Sequence, residues 1–226
     1  MTVCIHQPDF VPWLGFFDRL IKADVFVILD DVQFLRRGWQ NRNRIKTPDG
    51  WRWLTVPVKQ KGKFSQPINQ VVLANDTPWR RKHLGALVSG YSGAPNFDQI
   101  YPEILKVYDK NDFLLIDFNM SLIKLVLDIL NIDIPIRFAS EFNFATRKSH
   151  LLVDLVRALD GDTYLSGQGA RSYMDEKLFL EHGIETRWQE FKHPQYNQLH
   201  GEFIPDLSIM DVLFNCGSGA RKLLSA

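Results

Sequence analysis

The sequence contains few cysteines and no long uninterrupted apolar run. Two cysteines are present in 226 residues, Cys4 and Cys216, and they lie near opposite ends of the chain. The first residues lack the charged and apolar regions of a secretory signal, so we expect free thiols in a reducing cytoplasm rather than a disulfide. The longest apolar stretch, residues 122–130, includes Lys124 and Asp128 and is too short to span a bilayer. These absences predict a cytoplasmic protein without membrane insertion.

Nucleotide-binding signatures are also missing. Neither a Walker A sequence nor a glycine-rich dinucleotide fingerprint occurs, so NAD or ATP binding has no motif support. The hydrophobic content of 45% and the charged content of 23% are those of a globular protein. We expect a single domain over residues 1–226, with a β-hairpin subdomain at about 41–73 and a helical segment at about 77–131.

The net charge of +1 conceals a strongly basic segment. Residues 36–63 contain nine Lys or Arg and one acid, so this segment carries +8 and the rest of the chain −7. Such a block predicts an anionic partner, although an exposed, merely solvated hairpin is an alternative interpretation. The nearly neutral total argues against general polyanion binding and thus against double-stranded nucleic acid.

The first thirty residues show the order strand, helix, strand. Apolar runs at residues 3–5 and 25–29 flank an apolar-periodic segment at 13–21, whose helix we expect to open at Pro12. Continuous apolar runs are typical of parallel strands buried on both faces. A second strand–helix unit is predicted at residues 162–181. The pattern predicts an α/β fold, a Rossmann-like central parallel or mixed sheet flanked by helices.

A basic hairpin is predicted between these units. Segments 41–46 and 51–58 flank a Pro-Asp-Gly turn, and residues 68–73 are expected to form a further strand. The tryptophans Trp51 and Trp53, with arginines between and around them, suit stacking on a base or a sugar ring. Packing of the same indoles onto the core is the alternative.

Polar side chains follow the predicted strands. His6 and Gln7 come after the first, and Asp30 and Asp31 come after the second. The small-residue loop at residues 166–170 follows a later strand and suits close backbone approach to a phosphate or carboxylate. Open α/β sheets place ligands at the carboxyl ends of their strands. We therefore predict that His6, Asp30 and Ser166 lie on one edge of the sheet.

Several motifs carry a resemblance to a known family. From residue 5 to about 217 the chain resembles the WbqC-like family of bacterial proteins, in the motifs HQPDFVPWLGFFDRL, DVFVILDDVQF, WQNRNRIK, WLTVPV, TYLSGQGA and LSIMDVLFNCG. Members of that family occur among genes for surface polysaccharide and O-antigen sugars, and acyl or aminoacyl transfer to an amino sugar has been proposed for them. The resemblance implies the same biosynthetic context for this chain.

These observations together predict a transferase that modifies a nucleotide-activated amino sugar. His6 would take the proton of the sugar amine, with Asp30 orienting the imidazole and Asp31 beside it. The partners would be the nucleotide-linked sugar and an acyl or aminoacyl donor, and no resident cofactor or metal ligand is predicted. The predicted substrate-binding residues are Gln7, Trp13, Gln33, Arg37, Asn41, Arg42, Arg44, Lys46, Ser166, Gly167, Gly169 and Tyr196.

Three other interpretations stay open at this point. In the first, His6, Asp30 and Asp31 bind a divalent metal in a hydrolase or phosphotransferase. In the second, Cys4 is a nucleophile, against the alternative of an inert thiol buried in the sheet. In the third, the protein is a non-catalytic module that binds a sugar nucleotide or a nucleic acid.

Overall fold

A computed structural model describes residues 1–63 and 65–224. Strands and helices alternate in the first thirty residues and again from residue 136, whereas the middle of the chain contains a hairpin followed by three helices. The strands are β1 Thr2–His6, β2 Val25–Ile28, β3 Arg42–Thr47, β4 Gly50–Thr55, β5 Ile136–Phe138, β6 Thr163–Ser166 and β7 Glu185–Trp188. The helices are α1 Leu14–Ile21, α2 Trp79–Tyr91, α3 Phe97–Tyr108, α4 Leu115–Ile129, α5 Ser149–Ala158, α6 Glu176–Glu181, α7 Ile209–Cys216 and α8 Ala220–Leu223. The α/β class predicted from the sequence is confirmed.

The chain divides into two compact units. Unit 1 comprises residues 1–7, 15–31 and 132–192, and unit 2 comprises residues 8–14, 32–131 and 193–226. The single-domain organisation predicted over residues 1–226 stays a prediction.

Unit 1 is built on a five-stranded parallel sheet. The strand order is β5-β2-β1-β6-β7, and every neighbouring pair is parallel. All four residues of β2 are buried, as their continuous apolar sequence predicts. Phe16, Phe17 and Leu20 of α1 are fully or almost fully buried, which gives that helix its apolar side. The sheet therefore has the buried, helix-covered character of a Rossmann-like fold.

Helix α1 begins two residues later than predicted. Pro12 is not its first residue, because Pro12 and Trp13 belong to unit 2 and pair with another segment of that unit instead. Trp13 forms an antiparallel bridge with Ser208, and the Pro12 carbonyl accepts a hydrogen bond of 2.9 Å from the Ile209 N–H. An extended segment held in this way cannot also adopt helical dihedrals, so the helix starts at Leu14.

Unit 2 contains the predicted hairpin and the helical segment. Strands β3 and β4 pair antiparallel from Arg42↔Thr55 to Thr47↔Gly50, and α2, α3 and α4 follow. The strand expected at residues 68–73 is wrong. Ile68–Gln70 forms a short 3-10 helix, and Val72 and Leu73 each make a single bridge to a different partner. A continuous ladder with one neighbour, which a strand requires, is therefore lacking at these described residues.

Among the residues that the structure describes, no helix is long and apolar enough to cross a membrane.

Candidate active site at the sheet edge

Three neighbouring parallel strands of unit 1 end side by side, with β1 between β2 and β6. The chain passes from β1 to β2 through α1, and later reaches β6 on the other side of β1 through α5. Such a reversal of direction is a topological switch point, where open α/β sheets bind ligands beyond the carboxyl ends of the strands. His6 ends β1, Ser166 ends β6 and Asp30 follows β2. The prediction that these three residues share one edge is confirmed.

A buried arginine lies at this switch point. Arg19 of α1 is 4% exposed, and its Nη1 donates a hydrogen bond of 3.3 Å to Oε1 of Gln189, while its Nε has no hydrogen-bond partner. Among residues 1–63 and 65–224, no carboxylate forms an ion pair with its guanidinium group. Burying a cation without a counterion costs free energy. The arrangement therefore favours an anionic ligand.

The carboxylate of Asp18, which precedes Arg19 in the chain, is paired with groups other than Arg19. Oδ1 of Asp18 pairs with Nζ of Lys22 at 2.7 Å, and Oδ2 accepts a hydrogen bond of 2.6 Å from Nε2 of Gln189. The same Gln189 amide also donates to the Gly15 carbonyl at 2.7 Å. Gln189 is uncharged, so it neutralises none of the charge of Arg19. It fixes the position of the guanidinium group, because its own amide nitrogen is held by two hydrogen bonds to α1.

The loop after β6 covers the guanidinium group. A Cβ atom added to Gly167 would clash with Nη1 of Arg19, whereas one added to Gly169 would meet nothing within 4 Å. The Gln168 side chain donates to the Gln189 carbonyl at 2.8 Å and ties the loop to the strand end of β7. Glycine at position 167 therefore allows the backbone to approach the buried cation closely.

This close approach yields a matched pair of variants. Gly167→Ala places a methyl group against Arg19 and displaces the guanidinium group, so we expect anion binding to weaken about 10-fold or more, equivalent to about 1.4 kcal/mol. Gly85→Ala in α2 serves as the control, because a Cβ atom added there would meet nothing within 4 Å, and it should bind as the wild type does. Isothermal titration with pyrophosphate measures both. Equal affinities of the two variants would show that the loop does not position Arg19 for an anion.

His6 is partly buried and held in one tautomer. Its Nδ1 lies 3.0 Å from the Gln7 carbonyl oxygen. Because a carbonyl oxygen only accepts, Nδ1 carries the proton and Nε2 carries the lone pair. The imidazole also packs edge-on against Phe16, with ring centroids 5.3 Å apart. Desolvation, together with the charge of Arg19, lowers the pKa of His6 to about 3. The ring is therefore neutral at physiological pH.

Cys4 lies deeper in the sheet than His6. Its side chain is 0% exposed, and burial raises the pKa of the thiol despite the opposing effect of Arg19. A thiol attacks as its thiolate, which this environment disfavours. The geometry favours the interpretation of Cys4 as an inert buried thiol.

Asp30 and Asp31 have different surroundings in unit 1. The Asp30 carboxylate accepts hydrogen bonds from the Ser140 N–H at 3.0 Å and from the Ser140 Oγ at 2.7 Å. Desolvation and the adjacent Asp30 charge raise the pKa of Asp31, whose Oδ1 is buried without a hydrogen-bond partner. Within the described part of the chain, no three His, Cys, Asp or Glu side chains are grouped as metal ligands. The role of Asp30 in orienting His6 stays a prediction.

Most of the predicted binding residues lie in unit 2 rather than in unit 1. Asn41 is 5% exposed and donates to the Val56 carbonyl at 2.9 Å, which holds the hairpin to the chain that follows it. The Trp13 ring stacks on His193 with centroids 6.4 Å apart. The set in unit 2 comprises Trp13, Gln33, Arg37, Asn41, Arg42, Arg44, Lys46 and Tyr196, whereas Gln7, Ser166, Gly167 and Gly169 lie in unit 1.

Lys46 is more deeply buried than Arg42 and Arg44 of the same strand. It is 1% exposed, and its ammonium group donates to Oε1 of Gln198 at 3.0 Å and to the Glu202 carbonyl. Burial lowers its pKa, while the nearby Asp211 raises it. Tyr196 donates to Oδ2 of the same aspartate at 2.7 Å. Lys46 and Tyr196 thus belong to one buried polar network inside unit 2.

Two residues of the switch point were missed by sequence reasoning. Arg19 interrupts the apolar side of α1, and a single cation among Phe16, Phe17 and Leu20 is a signal that a closer reading of the pattern would find. Gln189 follows the last strand of the sheet with no distinguishing local pattern. Its hydrogen bonds to α1 join residues more than 170 positions apart and are decided by the tertiary fold.

Comparison with known proteins identifies the family. The model of the WbqC-like protein family matches residues 7–223. The chain belongs to the WbqC-like protein family. This WbqC-like protein is similar to the uncharacterized protein Rv1507c of Mycobacterium tuberculosis (strain ATCC 25618 / H37Rv). The two sequences are 37% identical over 224 aligned residues, which cover 98% of this chain and 96% of the mycobacterial protein. No solved structure matches this chain. The resemblance seen in the sequence motifs is confirmed at the level of the family.

Proposed function

We propose that this protein is a cytoplasmic transferase that acylates or aminoacylates the amine of a nucleotide-activated sugar. The observation that supports this most is the buried Arg19 guanidinium group, which lies at a Rossmann-like switch point without a carboxylate partner. A phosphate group of the activated sugar supplies the missing negative charge, and an arginine binds such a group through two parallel hydrogen bonds. Glycine at position 167 lets the loop backbone lie close to the Arg19 guanidinium group, where its N–H groups could contact the same phosphate.

His6 then acts as the base of the transfer. Its neutral Nε2 accepts the proton that the sugar amine loses as nitrogen attacks the acyl carbon. The C–N bond forms, the bond from the acyl carbon to the sulfur or oxygen of the donor breaks, and the leaving group takes the proton from the imidazolium. In support of this, His6 ends β1, and Gly167, whose backbone lies against Arg19, follows the neighbouring strand β6.

Substrate binding would also adjust the basicity of His6. Desolvation and the Arg19 cation lower the pKa of this imidazole, and a base with a pKa of about 3 is weak. A phosphate bound against Arg19 offsets the cationic contribution and raises the pKa of His6 when the substrate is in place. The base is thereby strengthened in the complex in which it is needed.

The proposal is tested by product analysis. The protein is incubated with UDP-linked amino sugars and, in separate reactions, with acyl-CoA, aminoacyl-tRNA or an acyl carrier protein as donor. We expect an increase in the mass of the sugar that corresponds to one acyl group on nitrogen. The matched control is the same nucleotide sugar with a hydroxyl group in place of the amine. Equal modification of that control would contradict transfer to an amine.

A further inference from the structure

Three exposed indoles lie together at the β3–β4 hairpin in unit 2: Trp51 and Trp53 belong to β4, and Trp39 precedes β3 and contacts Trp53. Trp39, Trp51 and Trp53 are 48%, 47% and 38% exposed. The ring centroids of Trp39 and Trp53 are 5.7 Å apart, as are those of Trp51 and Trp53, so the three rings form one continuous aromatic surface. Large indoles are seldom left in contact with water as a group, and such a surface marks a binding site.

Two arginines are built into this aromatic surface. The guanidinium carbon of Arg42 lies 4.1 Å from the Trp53 ring centroid, and that of Arg44 lies 5.5 Å from the Trp51 ring centroid. The Nε atoms of both arginines are buried without a hydrogen-bond partner. Stacking holds each guanidinium group beside an indole, and Nη2 of Arg44 also donates a hydrogen bond of 3.0 Å to the Asp206 carbonyl. The other terminal N–H groups of the two arginines can bind a phosphate.

The strand register places these groups on one face. Arg44 pairs with Trp53, and Lys46 pairs with Trp51, so the tryptophans and the arginines of β3 lie on the same side of the hairpin. Arg52 alternates with the two tryptophans and pairs with the buried Ile45, which puts it on the opposite side. Successive side chains on one face of a strand are about 6.8 Å apart. Arg42 with Trp53 and Arg44 with Trp51 therefore form two aromatic–cation pairs, so the arrangement repeats once along the hairpin.

From this repetition we infer that the Trp–Arg face of the hairpin binds two or three successive unpaired nucleotides of a single-stranded nucleic acid. Aromatic rings that stack on bases beside cations that contact phosphates are the elements of single-strand recognition. One nucleotide would use one indole and one arginine, whereas the face offers three indoles and two stacked arginines. The excess of basic residues in segment 36–63, which carries +8, complements the negative strand.

The inference also bears on the donor of the proposed transfer. An RNA whose single-stranded end carries an aminoacyl group contains the required unpaired nucleotides. This extension rests on the proposed function, whereas strand binding by the hairpin does not. The binding experiment below contains neither sugar nor acyl donor, so its failure is distinguishable from failure of the transfer.

Fluorescence titration of the exposed tryptophans tests the inference. The probes are the ribopentanucleotide rA5, AMP, an RNA duplex and the neutral sugar chitotetraose. We expect rA5 to bind at least about 10-fold more tightly than the other three. Because two arginines contact phosphates, the slope of log K against log salt should be about −1.4 for the single strand.

Matched variants locate the binding site. Trp51→Leu should weaken rA5 binding about 10-fold, which is within the range for losing one stacked base. Arg44→Gln keeps all the indoles and should reduce the salt slope by about 0.7. Arg52→Gln, on the opposite side of the same strand, should bind as the wild type does. Equal affinity for AMP and rA5, tighter binding of chitotetraose, or equal losses in Arg44→Gln and Arg52→Gln would each overturn the inference.

Discussion

Replacing His6 with glutamine should lower turnover of the proposed transfer by about 10²–10⁴-fold, the range typical of a general base. Glutamine retains a polar side chain at the end of β1 but cannot accept and release a proton. Because the role is in proton transfer, the KM for the activated sugar should change little. Steady-state kinetics with the sugar and donor identified by product analysis gives both constants.

The controls for this variant separate base catalysis from the other two chemistries. His182→Gln changes an exposed histidine of unit 1 whose Nδ1 also contacts a backbone carbonyl, and it should keep full activity. Cys4→Ser should keep most of its activity, and EDTA should have no effect. Loss of activity in EDTA with rescue by Mg²⁺ or Mn²⁺ would reassign His6, Asp30 and Asp31 to a metal. A trappable thioester that disappears in Cys4→Ser would make the thiol the acyl carrier.

Arg19→Gln should abolish stabilisation of the protein by phosphate-containing ligands. A ligand at 100 times its Kd stabilises the wild type by about 2.7 kcal/mol, and we expect essentially none of this in the variant. Without a ligand the variant should be about as stable as the wild type, because it no longer buries a cation without a counterion. The glutamine can still hydrogen-bond to Gln189. Urea unfolding with and without pyrophosphate measures both quantities.

Arg187→Gln is the matched control for Arg19. Arg187 lies on β7 of the same unit, is exposed and pairs with Glu185 at 2.9 Å. Its removal should leave the stabilisation by pyrophosphate intact, since exposed ion pairs contribute little. If Arg19→Gln keeps the same anion-dependent gain as Arg187→Gln, the anion binds elsewhere. The switch-point proposal would then be wrong.

Hairpin β3–β4 illustrates how local signals were sufficient for parts of the fold. The Pro-Asp-Gly turn and the flanking alternation are properties of adjacent residues, so the pairing from Arg42 to Thr55 was predictable. The strand at residues 68–73 failed because its residues have strand-like character but no continuous partner. Helix α1 likewise started late because Pro12 and Trp13 pair with residues almost 200 positions away.

The sequence by itself determined the α/β class and the set of polar residues that follow the strands. Continuous apolar runs require burial in a parallel sheet, and parallel strands bring their carboxyl ends to one edge. The sequence alone therefore predicted that His6, Asp30 and Ser166 lie together. Their charge states and hydrogen bonds could not, because these depend on which distant groups surround them.

The tertiary structure alone decided which buried cation has no carboxylate partner among the described residues. In the sequence, Arg19 follows Asp18, and Lys46 follows Arg42 and Arg44. In the fold, Asp18 forms an ion pair with Lys22 and accepts a hydrogen bond from Gln189. The Lys46 ammonium group donates hydrogen bonds to Gln198 and to the Glu202 carbonyl. The decisive partners are separated from these residues by up to 171 positions. Burial and pairing are set by such long-range contacts, whereas propensity and periodicity act only over neighbouring residues.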